Sequence, residues 1–80
     1  MRYVYLLQSE TFAGQRYVGV TSDLKQRIAD HNAGKSLHTS KYVPWKLVTY
    51  VAFSNVRKAE AFERYLKSGS GHAFAKKRLW

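Results

Sequence analysis

The chain has no cysteine, a single proline and only five acidic residues among its 80. Without cysteine there is no disulfide and no thiolate metal ligand, and nothing ties the chain to an oxidising compartment. No apolar run is long. The first, Tyr3 to Leu7, is too short for a signal-peptide core or a membrane span, so a cytoplasmic protein with no membrane partner is expected. Repeats, low-complexity tracts and linkers are also missing, so residues 1–80 are expected to form a single domain with one modest core. The scarcity of acid sets the charge: fourteen Lys and Arg against five Asp and Glu leave a formal +9. Such a balance on so short a chain suits a polyanionic partner, most often nucleic acid, although a merely well-solvated basic domain is the plainer reading.

What is present starts with tyrosine. Met1 to Leu7 and Tyr17 to Thr21 read as two strands, joined by a polar loop from Gln8 to Gln15 that is longer than a two-residue hairpin turn. Alternation puts Tyr3, Tyr5 and Leu7 on one face of the first strand, and Tyr17, Gly19 and Thr21 on one face of the second. An antiparallel register with Tyr5 opposite Gly19 places both tyrosine-bearing faces on the same side, and Gly19 then leaves room beside Tyr5 for something that is not protein.

A helix is expected over about 23–33, capped by Thr21 or Ser22 and stopped by Gly34. On it Leu24, Arg27, Ile28 and His31 share one face. Arg27 there is either a snorkelling edge residue or the partner of an anion, and His31 either a satisfied core histidine or a functional one. Lys35 to Val43 reads as a mobile polar loop, with Lys35, His38 and Lys41 facing phosphate. Trp45 to Phe53 is the longest strand and is expected to supply much of the core.

A second helix, 56–67, buries Ala59, Phe62 and Leu66 and carries Glu63 at the margin of that stripe. Glu63 is read either as half of an i,i+4 pair with Lys67 or as a cation ligand. Ser68 to Gly71 is expected to break the chain before a short helix, His72 to Trp80, that docks Phe74 with Leu79 or Trp80 and carries the basic run Lys76, Lys77 and Arg78. The fold expected is α+β, a three-stranded mainly antiparallel sheet flanked by helices.

Over about residues 1–67 these features resemble the GIY-YIG nuclease superfamily, and in particular its small single-domain bacterial members. Tyr3-Val4-Tyr5 stands for the first signature and Tyr17-Val18-Gly19 for the second. They are followed by Thr21-Ser22-Asp23-Leu24, by Arg27 with His31 and Asn32, by Pro44 to Val48, and by Glu63 to Lys67. The resemblance implies metal-dependent hydrolysis of DNA phosphodiesters. By motif position it assigns Tyr5, Tyr17, Arg27, His31 and Glu63 to catalysis, with Glu63 holding one Mg²⁺ or Mn²⁺. Three positions depart from the pattern: Tyr3 replaces the glycine of the first signature, and both middle residues are valine. No asparagine follows Asn55, where several family nucleases use one after the glutamate.

In that chemistry Arg27 stabilises the charge on the phosphoryl oxygens. Tyr5 is the first choice as general base, which requires nearby cations to favour its phenolate; His31 is the second choice, and Tyr17 positions water or phosphate. Against this, strand tyrosines are commonly plain core or cross-strand contacts. Arg27, Lys35, His38, Lys41, Lys76 and Lys77 are the expected DNA contacts, to single-stranded or distorted duplex DNA. The rival reading is a non-catalytic nucleic-acid-binding module that keeps the fold; a ribosome-associated basic protein has no motif in its favour.

Overall fold

The computed structural model describes Met1–Trp80. In chain order it contains β1 (Arg2–Ser9), β2 (Arg16–Thr21), α1 (Leu24–Asn32), a 3₁₀ turn (Ser40–Tyr42), β3 (Trp45–Phe53), α2 (Val56–Leu66) and α3 (Gly69–Arg78). The strands form one antiparallel sheet in the order β2-β1-β3. Tyr5 stands opposite Gly19, as the alternation requires.

The central strand is β1, and its middle is closed on both sides: Val4, Tyr5, Leu6 and Leu7 are at most 1% exposed. Alternation sends Val4 and Leu6 to one face, where Ala59 and Leu66 of α2 and Ala75 of α3 complete a core that Val18, Val20, Phe53 and Phe62 flank. Tyr5 and Leu7 go to the other face and meet Trp45, with Leu24 and Ile28 of α1 packed around them. Each fully buried apolar side chain contributes roughly 1.5–3 kcal/mol, so the sheet is held by two thin cores sharing one strand.

The third strand supplies less of the core than its length suggests. In β3 only Trp45 is buried, with Phe53 packed at the margin, because β3 is an edge and α2 lies mainly over β1 and β2. Length marked it as a strand but carried no information about its place in the sheet.

The caps explain where the helices begin. Asp23, not Thr21 or Ser22, accepts the Gln26 N–H and opens α1, while the Thr21 hydroxyl accepts the Asp23 N–H one step earlier. Gly34 follows the helix with φ +76, the left-handed conformation suited to glycine. Asn55 caps α2 through Lys58 N–H. Ser68 caps α3 through Gly71 N–H, so the stretch expected to break the chain forms the first turn of a helix instead. A Cβ on Gly71 would overlap the Tyr65 carbonyl; glycine lets α3 fold back directly against the end of α2. Phe74, 38% exposed, docks at the rim of the core against the Phe62 and Tyr65 rings at centroid distances of 6.4 and 6.0 Å, while Ala75 takes the inward position and Leu79 and Trp80 close the core behind it.

Nor is the segment from Lys35 to Val43 a free loop. Thr39 is 1% exposed, and its carbonyl accepts the Trp45 indole N–H at 2.8 Å. Asn32 clamps the end of α1 to β3, donating to Trp45 O at 3.1 Å and accepting Trp45 N–H at 2.6 Å.

Candidate active site

The face between β1, β2 and α1 gathers four of the five residues expected to be catalytic. The Tyr5 hydroxyl lies 2.9 Å from Nε2 of His31, and Nδ1 of His31 lies 2.8 Å from the Thr39 hydroxyl. The Tyr17 ring packs edge-on to the His31 ring, centroids 4.8 Å apart, and lies 6.2 Å from the Tyr5 ring. Arg27, one turn before His31 on α1, reaches both phenols, and contact with Tyr5 is the main cause of its raised pKa.

Burial controls the electrostatics of this cluster. It raises the Tyr5 pKa, and Arg27 opposes the rise without overcoming it. Burial lowers the pKa of His31, and the Arg27 charge lowers it further, so the imidazole stays neutral with one donor and one acceptor nitrogen. A guanidinium has only donors, so the Tyr5 oxygen faces it as an acceptor. We therefore assign the Tyr5 proton to His31 Nε2, and the Nδ1 proton to the Thr39 hydroxyl.

Gly19 plays a different part from the one expected. A Cβ there would overlap the hydroxyl and Cζ of Tyr5. The glycine makes room for the Tyr5 ring itself to lie across β2, and no ligand space remains beside it. At 1% exposure Tyr5 has no direct access to water, and its pKa moves away from phenolate formation. Both facts count against Tyr5 as a base acting on an attacking water. Tyr17, half-buried, is the tyrosine of this cluster that opens outward.

Glu63, the fifth residue that the resemblance assigns to catalysis, does not join this cluster. It stands on α2, which packs against the Val4 and Leu6 face, across the sheet from Tyr5. Its carboxylate pairs with Lys67 at 2.5 Å, the i,i+4 reading, and its side chain is 16% exposed. No group of three or more His, Asp or Glu side chains is placed to hold a metal ion. As a hard oxygen donor Glu63 suits Mg²⁺ or Mn²⁺, but only in a site completed by water and phosphate oxygens and only when Lys67 gives way.

The two faces meet around the free edge of β2. A groove of about 670 Å³ wraps this edge, lined by Arg16 and Tyr17 of β2, His38, Lys67 at the end of α2, and His72 and Lys76 of α3. No Asp or Glu side chain lines it. Of the basic residues expected to touch DNA, His38 and Lys76 are here, and Arg27 stands behind Tyr17. The others lie elsewhere: Lys35 pairs with Asp30 at 3.5 Å, Lys41 is exposed on the 3₁₀ turn, and Lys77 is off the groove. Sequence reading missed Arg16, Lys67, His72 and Trp80. The i,i+4 spacing of His72 and Lys76, both within the helix expected from His72, is the sequence signal for one wall.

Comparison with known proteins identifies the family and the fold. The family model for the GIY-YIG catalytic domain matches residues 1–77. A UPF0213 protein of Cupriavidus pinatubonensis is 37% identical over 79 residues, covering 94% of this chain and 86% of its own length. One from Streptococcus pneumoniae is 35% identical over 66 residues, 81% of this chain but 65% of its own length. The solution NMR structure of a UPF0213 protein from Bacillus halodurans superposes with a TM-score of 0.58 at 30% identity, covering 99% of this chain and 87% of that one. The three-stranded antiparallel sheet and its three helices recur there. With Tyr5 and Tyr17 as diagonal neighbours on one face of β1 and β2, and the family model spanning all but three residues, the chain belongs to the GIY-YIG catalytic domain family.

Proposed function

We propose that this domain is a divalent-metal-dependent endonuclease that hydrolyses DNA phosphodiester bonds at the free edge of β2. The observation that carries this reading is the juxtaposition of a polar, buried Tyr5, His31 and Thr39 chain with Arg27 and Tyr17 at the inner end of a basic groove lined by no Asp or Glu side chain. A nuclease domain family supplies the nuclease-like role; the residue roles below are our own.

Tyr17 presents its hydroxyl to the bound phosphate or the attacking water. Arg27, always charged and forked, meets the negative charge that grows on the phosphoryl oxygens. His31 and Thr39 fix the Tyr5 hydroxyl, and Tyr5 in turn holds Arg27 in place from the protein side. Glu63, whose carboxylate meets Lys67 at the groove wall, would hold the ion at the margin of the groove once that pair opens. A bound Mg²⁺ or Mn²⁺ supplies Lewis-acid stabilisation of the phosphate and lowers the pKa of a bound water.

The test is cleavage of single-stranded, flapped and duplex DNA with either metal, comparing the wild type with Tyr17→Phe, Arg27→Ala and Glu63→Ala. Metal-dependent cleavage lost in all three variants, with DNA binding kept by Glu63→Ala, supports the enzyme. A second reading, a non-catalytic binding module, is favoured by one observation: Glu63, the carboxylate assigned to the metal, is already paired with Lys67. Salt-sensitive binding without cleavage under either metal would establish it instead.

A further inference from the structure

Beyond Tyr17 the β2-edge groove has a composition that the cleavage chemistry does not use. Lys67, His72 and Lys76 converge on it from two helices, and His72 and Lys76 stand one turn apart on the same side of α3. Glu63, the counter-charge of Lys67, does not line the groove. Lys67 keeps its pair with Glu63, whereas Lys76 makes no ion pair, so an anion entering the groove meets its charge without displacing a carboxylate. At the same groove the Arg16 guanidinium carbon sits 4.8 Å from the centroid of the Trp80 ring. Trp80 is held from behind, its ring packed against the Val4 and Leu6 core and its backbone N–H donating to the Ala75 carbonyl at 2.9 Å. Arg16 is exposed, so the side of its guanidinium away from the indole is free.

The geometry points to a subsite for one unpaired nucleotide, with its base stacked on the Arg16 guanidinium that Trp80 backs and its phosphate held among Lys67, His72 and Lys76. Arginine planes and aromatic rings stack bases only when the bases are unstacked from their neighbours, and ammonium groups take phosphate as point charges. The cavity volume falls within the range of small-ligand clefts, and stacking needs a base that a duplex keeps covered. This subsite rests on the reading of the β2 edge as a nucleic-acid site and adds what that site selects: a single-stranded segment beside the reacting phosphate.

The chain has two tryptophans, and Trp45 is 4% exposed, so a binding-induced change in emission reports Trp80. The experiment titrates the protein, without divalent metal, with hexathymidylate, hexauridylate, a blunt duplex and inorganic phosphate. It follows tryptophan emission and, with labelled hexathymidylate, anisotropy. A saturable Trp80 signal, absent in Trp80→Phe, is expected with the single strands, and the two sugars show which backbone the subsite takes. The duplex and free phosphate should bind at least tenfold more weakly. Arg16→Ala should weaken hexathymidylate binding roughly tenfold, the loss expected when one stacked base loses its platform. Lys76→Gln should weaken it more than Lys46→Gln, a control on the opposite edge strand. Duplex binding as tight as single-strand binding would overturn the proposal, as would Arg16→Ala and Lys76→Gln behaving like the control. Because no metal is present, the subsite can stand where cleavage fails. Cleavage with a silent Trp80 would remove the subsite and leave the nuclease reading intact.

Discussion

The Tyr5 hydroxyl and the His31 Nε2 lie 2.9 Å apart, on side chains no more than 1% exposed. Two residues that the family resemblance marks as catalytic are thus joined to each other inside the protein. Their partner Thr39 comes from a segment that the sequence presents as a loop.

The lowered pKa of His31 links this bond to pH. An unfolded histidine takes a proton below about 6.5, whereas the folded one resists it, so the unfolded state binds more protons as pH falls. The resulting stability is fully present above that value and is lost as pH drops toward the folded pKa. Urea midpoints measured from pH 8 down to pH 5 should fall, and His31→Gln should flatten the fall. An equal slope in both proteins would place the effect elsewhere.

Thr39→Val removes the group that receives the His31 Nδ1 proton and leaves that nitrogen buried without a partner. The expected cost is about 1–3 kcal/mol, read from denaturant unfolding. Thr39→Ser, which restores the hydroxyl, should recover most of it along with any cleavage lost by the valine variant.

Gly19→Ala forces a methyl group onto the Tyr5 ring, which is walled in by Tyr17 and His31 and cannot swing away. Overpacking of this kind costs about 1–3 kcal/mol. Near-ultraviolet circular dichroism should show the tyrosine environment altered; an unchanged spectrum and an unchanged melting temperature would contradict the close approach.

Glu63→Gln separates structure from chemistry. An i,i+4 pair with a half-exposed lysine is worth well under ~1 kcal/mol, so thermal stability should hardly move. Metal-dependent cleavage should nevertheless disappear, and Mn²⁺ binding measured by calorimetry in the presence of DNA should go with it. A large loss of stability would make the pair a structural element instead.

Much of the local architecture was legible. Period-2 alternation together with a hairpin determines the register of Tyr5 against Gly19, because each side chain's face depends only on its own strand. The extent of β3, the buried stripe of α2 and the pairing of Glu63 with Lys67 follow from spacing in the same way. The family signature residues are also present in order along the chain, and their order needs no coordinates.

Three matters waited for the tertiary structure. Which strand lies in the middle depends on how helices cover the sheet, so β1 is buried on both faces while the longer β3 is an edge. Whether Gly19 opens a space or is filled depends on where the Tyr5 ring comes to rest. The groove draws Arg16, Lys67, His72 and Trp80 from separate elements around an exposed strand edge, and no single element's periodicity encodes such a meeting. Sequence spacing acts within one element, through a fixed rise and turn per residue, whereas contacts between elements are chosen by burial and packing of the whole chain.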